Sequence, residues 1–429
     1  MANSSEKVVL IDGCRTPFLK SGTDFRDLMA YDLARYAISA LLKRNTINPS
    51  EIDRVILGTV IQEVQTSNVA REAALAAGIP NSVPAHTVTM ACISSNQAIT
   101  SGLELIRTGQ AEIVLAGGTE TMSDVPIRFQ KKVRKKLLKA QKMKSPGQFL
   151  SLLKGLKPSD FLPEAPSISE FSSGETMGES ADRMAARFGI TREEQDAFAL
   201  RSHLLADKAF NEGFYDDEVV PVLPPPKFDP VERDNGIRGN STMEQLTKLR
   251  PAFLKPHGTI TAGNASFLTD GGSAVLLMSE KKAKELGLTP KAELKSYTYV
   301  AQDPNDELLL GPAYATPKVL DMEKMKLGDL DVIEFHEAFA GQILSNLKAL
   351  SSKSFAEKSG RKKAVGDVDI DLFNTRGGSL SLGHPFGATG ARLLTTTANR
   401  LIKEDGEIGL LAACAAGGQG HAMIVKRYA

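Results

Sequence analysis

The two ends of this 429-residue chain resemble each other, which leaves few folds open to it. In the first half, Asn48-Pro-Ser-Glu-Ile-Asp-Arg-Val-Ile-Leu precedes a small-residue helix opening at Cys92 and a strand ending in Ala116-Gly117-Gly118. In the second, Leu327-Gly-Asp-Leu-Asp-Val-Ile-Glu-Phe precedes a helix opening at His384-Pro385 and a strand running into Cys414-Ala-Ala-Gly417-Gly418. The closing strands match as well, Gly271-Gly272-Ser-Ala-Val-Leu-Leu-Met with Gly417-Gly418-Gln-Gly-His-Ala-Met-Ile-Val. A duplicated α/β unit accounts for all of this, although helix–strand alternation alone produces weak self-similarity. Strands are expected over 8–12, 54–59, 113–116, 274–278, 331–335, 408–412 and 422–425, with helices over 30–43, 96–107 and 341–350 between them.

The stretch 124–265 has another character. It holds a basic run, two strong helix patterns (178–188 and 191–212) and the cluster Pro224-Pro225-Pro226. We read it as an inserted lid or substrate domain, dividing the chain into 1–123, the insert 124–265, a return over 266–285 and a second half, 286–429. Eleven Lys/Arg and no Asp or Glu fall between Arg128 and Lys157. Phe129, Val133 and Leu137 recur at helical spacing among Lys131, Lys132, Arg134, Lys135, Lys136 and Lys139, followed by Phe149-Leu-Ser-Leu-Leu153. A basic amphipathic helix of this kind suits an anionic membrane surface or an acidic partner. The plainer alternatives are a solvated charged insert or a funnel that draws in a polyanionic substrate.

Elsewhere the charge excludes more than it suggests. A net +1 gives no global attraction to nucleic acid, and none is expected as a partner. The three cysteines, Cys14, Cys92 and Cys414, lack C-x-x-C spacing, so neither a disulfide framework nor a metal site is indicated, and a reducing compartment is expected. No apolar run reaches the ~18–20 residues of a membrane span. The first ten residues contain neither a signal-peptide core nor an Arg-rich transit segment.

Four places could carry chemistry. Cys92, in Thr89-Met-Ala-Cys92-Ile-Ser-Ser-Asn, sits at a strand-to-helix turn, where unpaired N–H groups and the helix dipole favour a thiolate. An isolated cysteine there is more often a packed small hydrophobe. His384, in Gly383-His384-Pro385-Phe-Gly387-Ala-Thr-Gly390, could be its base, or simply a histidine capped by backbone at a helix end. In the duplication it occupies the place that Cys92 holds in the first half, so two facing turns would bring base and nucleophile together. Cys414 enters a glycine-rich turn that could aim N–H groups at an oxyanion or shuttle a proton; a packed thiol in a tight turn fits equally. His336, in Glu334-Phe-His336-Glu337-Ala-Phe339, lacks the second histidine of a zinc motif and could donate to a substrate carbonyl. His86, His203 and His257 have nothing comparable around them and are taken as structural.

Together, the Cys92 turn, His-Glu-Ala-Phe, Gly-His-Pro and Cys-x-x-Gly-Gly, in this order, resemble the thiolase superfamily from end to end. The resemblance implies a duplicated five-layer αβαβα fold with an inserted loop domain, at least a dimer, and coenzyme A as substrate with no cofactor. It implies Cys92 as the acylated nucleophile, His384 as its base, Cys414 as the acid/base for the acetyl-CoA carbanion, and the N–H groups of Cys92 and Ala416 as an oxyanion hole. His336, with His384, would bind the thioester oxygen. Met177, Arg250, Ser266 and Phe339 match positions around the coenzyme A arm and acyl group. Many thiolases carry Asn where this chain has His336. That departure, with Ser379-Leu-Ser-Leu-Gly-His-Pro-Phe-Gly-Ala-Thr-Gly390, Leu309-Leu-Gly-Pro312 and the basic insert, resembles the branch that degrades longer 3-ketoacyl-CoA chains in fatty-acid β-oxidation. Its mitochondrial members imply a hydratase/dehydrogenase α subunit and attachment to the inner membrane, while bacterial cytoplasmic thiolases are nearly as similar. The rivals are an acetoacetyl-CoA thiolase, a carrier-dependent condensing enzyme, which would lack a terminal catalytic cysteine such as Cys414, and a lipid- or RNA-binding protein that uses the basic insert. Wide separation of Cys92, His384 and Cys414 would favour the last.

Overall fold

Alternate residues along each long strand enter different apolar layers, and this decides the architecture. A computed structural model describes residues 6–140, 142–145, 147–148, 152, 154–164, 166–167 and 169–429. In chain order its strands are β1 Val8–Arg15, β2 Leu19–Lys20, β3 Arg54–Gly58, β4 Ala85–Val88, β5 Ile113–Glu120, β6 Arg128–Phe129, β7 Pro163–Glu164, β8 Thr269–Ser279, β9 Ala292–Ala301, β10 Val332–Phe335, β11 Ile408–Ala415 and β12 Gln419–Arg427. The main sheet runs β10-β11-β12-β9-β1-β8-β5-β3-β4. Outward from β1 to β8, β5 and β3 the pairings are antiparallel, antiparallel and parallel. Outward from β9 to β12, β11 and β10 they repeat in the same sequence. The duplication is therefore written into the sheet. Its two halves meet at a seam of only two residue pairs, Val9–Glu293 and Leu10–Ala292.

Both faces of both halves are covered, which is why the strands read as continuous apolar runs. Val9, Ile11, Ile113, Leu115, Ala274 and Leu276 pack outward on the helices Ala30–Arg44 and Val69–Ala76. Their neighbours Val8, Leu10, Val114, Ala116, Val275 and Leu277 share a central layer with Leu411, Ala413, Met423 and Val425. The helices Ser94–Arg107 and Thr389–Lys403 fill that layer. Leu410, Ala412, Cys414, Ala422 and Ile424 face a last layer with the helices Gly311–Glu323 and Ala340–Ser351. The order is helix, sheet, helix, sheet, helix: the five layers expected. Every residue of the central helix from Thr389 to Leu401 is buried, including Arg392 and Arg400. Glu334 on β10 answers both charges, at 2.8 Å from Arg400 and 3.7 Å from Arg392. An isolated charge at this depth would cost several kcal/mol.

The structure departs from the sequence reading in four respects. Strands β4 and β9, and the helices Val69–Ala76 and Gly311–Glu323, were not expected; the last contains Pro317, which argues against a helix on local grounds. The helix of the second half opens at Thr389, five residues beyond His384, because Gly387 is drawn instead into contact with the first half. A Cβ on Gly118 would overlap the Gly387 carbonyl oxygen, and the Glu120 carboxylate accepts the Gly387 N–H at 3.0 Å. Finally, the basic helix spans Lys131–Ala140 but does not present the expected stripe. Phe129 lies in β6 and is exposed, Val133 is buried against the protein, and Leu137 and Leu138 are exposed on the helix. Lys132, Arg134 and Lys136 are engaged by Asp160, Glu164 and the Leu152 carbonyl, whereas Lys131, Lys135 and Lys139 have no ion-pair partner among the described residues. Most of Phe149-Leu-Ser-Leu-Leu153 lies outside the described residues.

Candidate active site

Cys92 follows Ala91, a non-glycine residue at φ 46°. This left-handed turn ends the approach from β4 and points the thiol away from the chain before the Ser94–Arg107 helix begins. The Ser94 hydroxyl closes the turn, accepting from the Met90 N–H at 2.8 Å and donating to the Ala91 carbonyl at 2.7 Å. His336 comes one residue after β10 and is fixed by its own N–H to the Ala412 carbonyl, 2.9 Å away on β11. His384 arrives on the turn after Gly383, with its N–H on the Thr269 hydroxyl at 2.9 Å. The Cys92 sulfur and one ring nitrogen of each histidine lie within 4.8 Å of one another. The two imidazoles stand 3.9 Å apart, centroid to centroid.

Each imidazole is tied down at Nδ1 only. His384 Nδ1 meets the Thr389 hydroxyl at 2.7 Å, and His336 Nδ1 meets that of Ser379 at 3.0 Å. The Nε2 atoms of both are buried without a partner, and such orphaned groups mark places where a ligand is to be met. Burial first, and then the Arg392 guanidinium, hold His384 down to about 3. Burial, His384 and Arg392 hold His336 far below the usual imidazole value. Both rings are therefore neutral at physiological pH, each with one buried nitrogen that meets no partner among the described residues.

The thiol behaves differently from the sequence expectation. Burial pushes Cys92 up to about 11, while the backbone N–H groups of Ala416 and of Cys92 itself oppose the shift. Desolvation outweighs the turn's dipole, so the resting thiol is protonated and would need a base in contact to attack. Cys414, near the end of β11, is buried and pushed up further, chiefly by burial and secondly by the charge of Cys92. Ala416 follows it, and its N–H points at the Cys92 sulfur. Glu170, from the insert, accepts the adjacent Gly417 N–H at 2.8 Å and so steadies this turn.

The remaining expected residues divide. Ala265 bridges Phe339, and Leu268 bridges His384, which sets Ser266 between the two. The Ser266 N–H reaches the Ala338 carbonyl at 2.9 Å. Phe339 packs edge-on against Phe253, 5.9 Å between centroids, and Met177 joins the same apolar cluster. Arg250 is exposed and has no side-chain partner among the described residues. His86, His203 and His257 lie away from the cluster; the His203 ring accepts the Arg238 N–H at 3.3 Å. Four residues that sequence reasoning passed over support the site: Ser379, Thr389, Arg392 and Glu337. The Glu337 carboxylate takes the Ser202 hydroxyl at 2.8 Å, the Asn374 amide at 2.7 Å and the Leu380 N–H at 3.3 Å, pinning the turn that carries Ser379. Ser379 and Thr389 flank His384 within one glycine-rich motif, and that proximity was the available signal.

Residues 8–281 match the family model "Thiolase, N-terminal domain", and residues 288–427 match "Thiolase, C-terminal domain". The chain belongs to the thiolase family. It is an enzyme, an acyltransferase whose family uses coenzyme A as a substrate and needs no cofactor. It is 59% identical over 422 residues to "Trifunctional enzyme subunit beta, mitochondrial" of Homo sapiens, covering 98% of this thiolase and 88% of the relative. It is 45% identical over 427 residues to a "3-ketoacyl-CoA thiolase" of Yersinia enterocolitica, covering 99% and 98%. Among solved structures, human mitochondrial 3-ketoacyl-CoA thiolase superposes with a TM-score of 0.84 at 31% identity, over 99% of each chain.

Proposed function

We propose that this thiolase cleaves medium- or long-chain 3-ketoacyl-CoA with coenzyme A, releasing acetyl-CoA and an acyl-CoA shortened by two carbons. The observation that carries this is the convergence of Cys92, His336 and His384 within 4.8 Å, with both Nε2 atoms unpartnered. His384 Nε2 takes the thiol proton as the sulfur attacks the 3-keto carbon. The N–H groups of Cys92 and Ala416 receive the oxygen that becomes negative. As the C2–C3 bond breaks, the electron pair passes to the acetyl-CoA carbanion, whose thioester oxygen is met by His336 and His384, and Cys414 supplies its proton. A coenzyme A thiol then gives its proton to the site and its sulfur displaces Cys92 from the acyl group. Each oxyanion donor contributes ~10²–10³-fold in rate. The names of the relatives support the 3-ketoacyl substrate. Met177, Ser266 and Phe339 are read as lining the coenzyme A arm and acyl group, with Arg250 at the exposed rim.

Brief exposure to 3-ketoacyl-CoA followed by peptide mass spectrometry should find the acyl adduct on Cys92, and steady-state assays from C4 to C16 should favour the longer chains. An adduct on another residue would overturn the mechanism, and a preference for C4 alone would return the chain to the acetoacetyl-CoA class. Metal has no part in this scheme, although three potential ligand atoms gather here. Loss of activity to a chelator, restored by zinc, would show otherwise.

The assembly follows the same reading. Residues 1–123 with 266–285 form one half, 286–429 the other, and 124–265 the insert. The enzyme works as at least a dimer, with a hydratase/dehydrogenase α subunit, on the inner mitochondrial membrane. Exposed Leu137 and Leu138 beside Lys131, Lys135 and Lys139, which have no ion-pair partner among the described residues, support contact with anionic lipid, each cation near such a surface contributing ~1 kcal/mol. Vesicle flotation with cardiolipin-rich and neutral liposomes tests it. Binding that is equal on both, or unchanged after deletion of residues 129–157, would remove the membrane role.

A further inference from the structure

We propose that Ser379, held by Arg392, is a positioning residue that keeps His336 in the tautomer protonated on Nε2, so that the site offers one imidazole as donor beside another as acceptor. The proposal rests on the reading of His336 as the partner of the thioester oxygen, and it supplies what that reading lacks. A neutral imidazole can present either a proton or a lone pair, and only the proton serves an oxyanion.

The assignment follows from counting hydrogens around two hydroxyls. Ser379 Oγ receives an N–H from Arg392 Nη2 at 3.0 Å and lies 3.0 Å from His336 Nδ1. A guanidinium can only donate, so one lone pair of Oγ is taken. Ser379 is fully buried, and His336 Nδ1 is the one acceptor found for its proton among the described residues. Were Nδ1 to carry the ring proton, the hydroxyl hydrogen would be left buried without an acceptor among the described residues, and an unmet buried donor forfeits its full desolvation cost. Ser379 therefore donates to Nδ1, and the ring proton sits on Nε2, the nitrogen without a partner among the described residues. At His384 the order is reversed. The Thr389 hydroxyl donates to the Pro385 carbonyl at 3.1 Å and accepts from His384 Nδ1 at 2.7 Å. His384 Nε2 is left bare, as a base for Cys92 must be. Arg392 acts twice, orienting the Ser379 hydroxyl and keeping imidazolium out of the pair. Glu337, the neighbour of His336, fastens the Leu380 N–H and so keeps Ser379 beneath the ring.

The test is long-range ¹H–¹⁵N NMR of enzyme labelled at its six histidines, with the two signals assigned through His336→Ala and His384→Ala. The expected spectrum has His336 protonated at Nε2 and His384 at Nδ1. In Ser379→Ala, His336 should shift toward the Nδ1–H form and kcat should fall ~10²-fold, with KM changing much less. Ser379→Thr, which keeps the hydroxyl, should restore both. His336 protonated at Nδ1 in the unaltered enzyme overturns the proposal, even if Ser379→Ala does not fold. So does a Ser379→Ala variant that loses activity with its tautomer unchanged, because the serine would then be structural. Absence of an acyl adduct on Cys92 would remove the proposed reaction but leave the tautomer assignment standing.

Discussion

The Cys92 turn and the His384 turn occupy corresponding places in the two halves, yet they are built by different means. The first is held by its own neighbourhood: Ala91 at φ 46°, the Ser94 hydroxyl across the turn, and a helix that begins two residues on. The second is held from outside. Glu120 of the first half grips the Gly387 N–H, Thr269 of β8 grips that of His384, and the helix waits until Thr389. In the proposed mechanism the Cys92 nucleophile must be set at one fixed point, and a strained local turn does that. A base must be set relative to the nucleophile, so its restraints come from the nucleophile's own half. Duplication supplied two equivalent frames, and the chemistry required them to diverge.

The largest effect expected from breaking this comparison is at the nucleophile. Cys92→Ser should reduce turnover by ~10⁴–10⁶-fold, read in a thiolysis assay with folding checked by circular dichroism; normal turnover would end the mechanism. His384→Ala should lose less, ~10²–10⁴-fold, and should leave Cys92 open to slow alkylation. In the unaltered enzyme that alkylation should keep rising beyond pH 9 without a neutral plateau, because the thiol sits at about 11 and His384 at about 3.

The outside grip on the second turn can be sharpened through Glu120. Burial raises its carboxyl to about 7 from an ordinary 4.5. The folded protein thus holds the proton more tightly than the unfolded chain, so this group lowers stability as pH rises from about 4.5 to about 7. Urea unfolding across that window should show the slope in the unaltered enzyme and its loss in Glu120→Gln. The smallest effect belongs to the first turn. Ala91→Gly should relieve the left-handed strain and raise stability by about 1 kcal/mol or less, with kcat within a few-fold. A large loss of kcat there would mean that the alanine methyl, rather than the turn, positions the thiol.

The same contrast explains what could be read from the sequence. Cys92, His384 and Cys414 each lie in a short run of small or glycine-rich residues, and His336 sits where an apolar strand ends, so local chemistry and the repeat exposed them. The five layers were legible through the paired halves. Strand β9 was not, because half-buried Glu293, Lys295 and Tyr297 interrupt its apolar run and it sits at the seam, where only two pairs tie it to β1. Arg392 looked like one more residue of a helical pattern. Only the second sheet, closing over it, turns it into a buried charge beside two imidazoles. Glu120 and Gly387 are 267 positions apart, and no local pattern joins them. The apolar stripe of the basic helix was misplaced for the opposite reason: Phe129 falls outside the helix, and the protein claims Val133 for itself.

The central helix Thr389–Lys403, which belongs to the second half but is enclosed by both sheets, bears on how the chain is made. On a ribosome, β1, β3, β5 and β8 emerge long before this helix does. Until it arrives, Val8, Leu10, Val114, Val275 and Leu277 face a layer that is only half filled. The nascent first half is therefore adhesive for most of its synthesis, and this is the stage at which chaperones matter and truncated products aggregate. The nucleophile's own half becomes complete only when nearly the last of the message has been read.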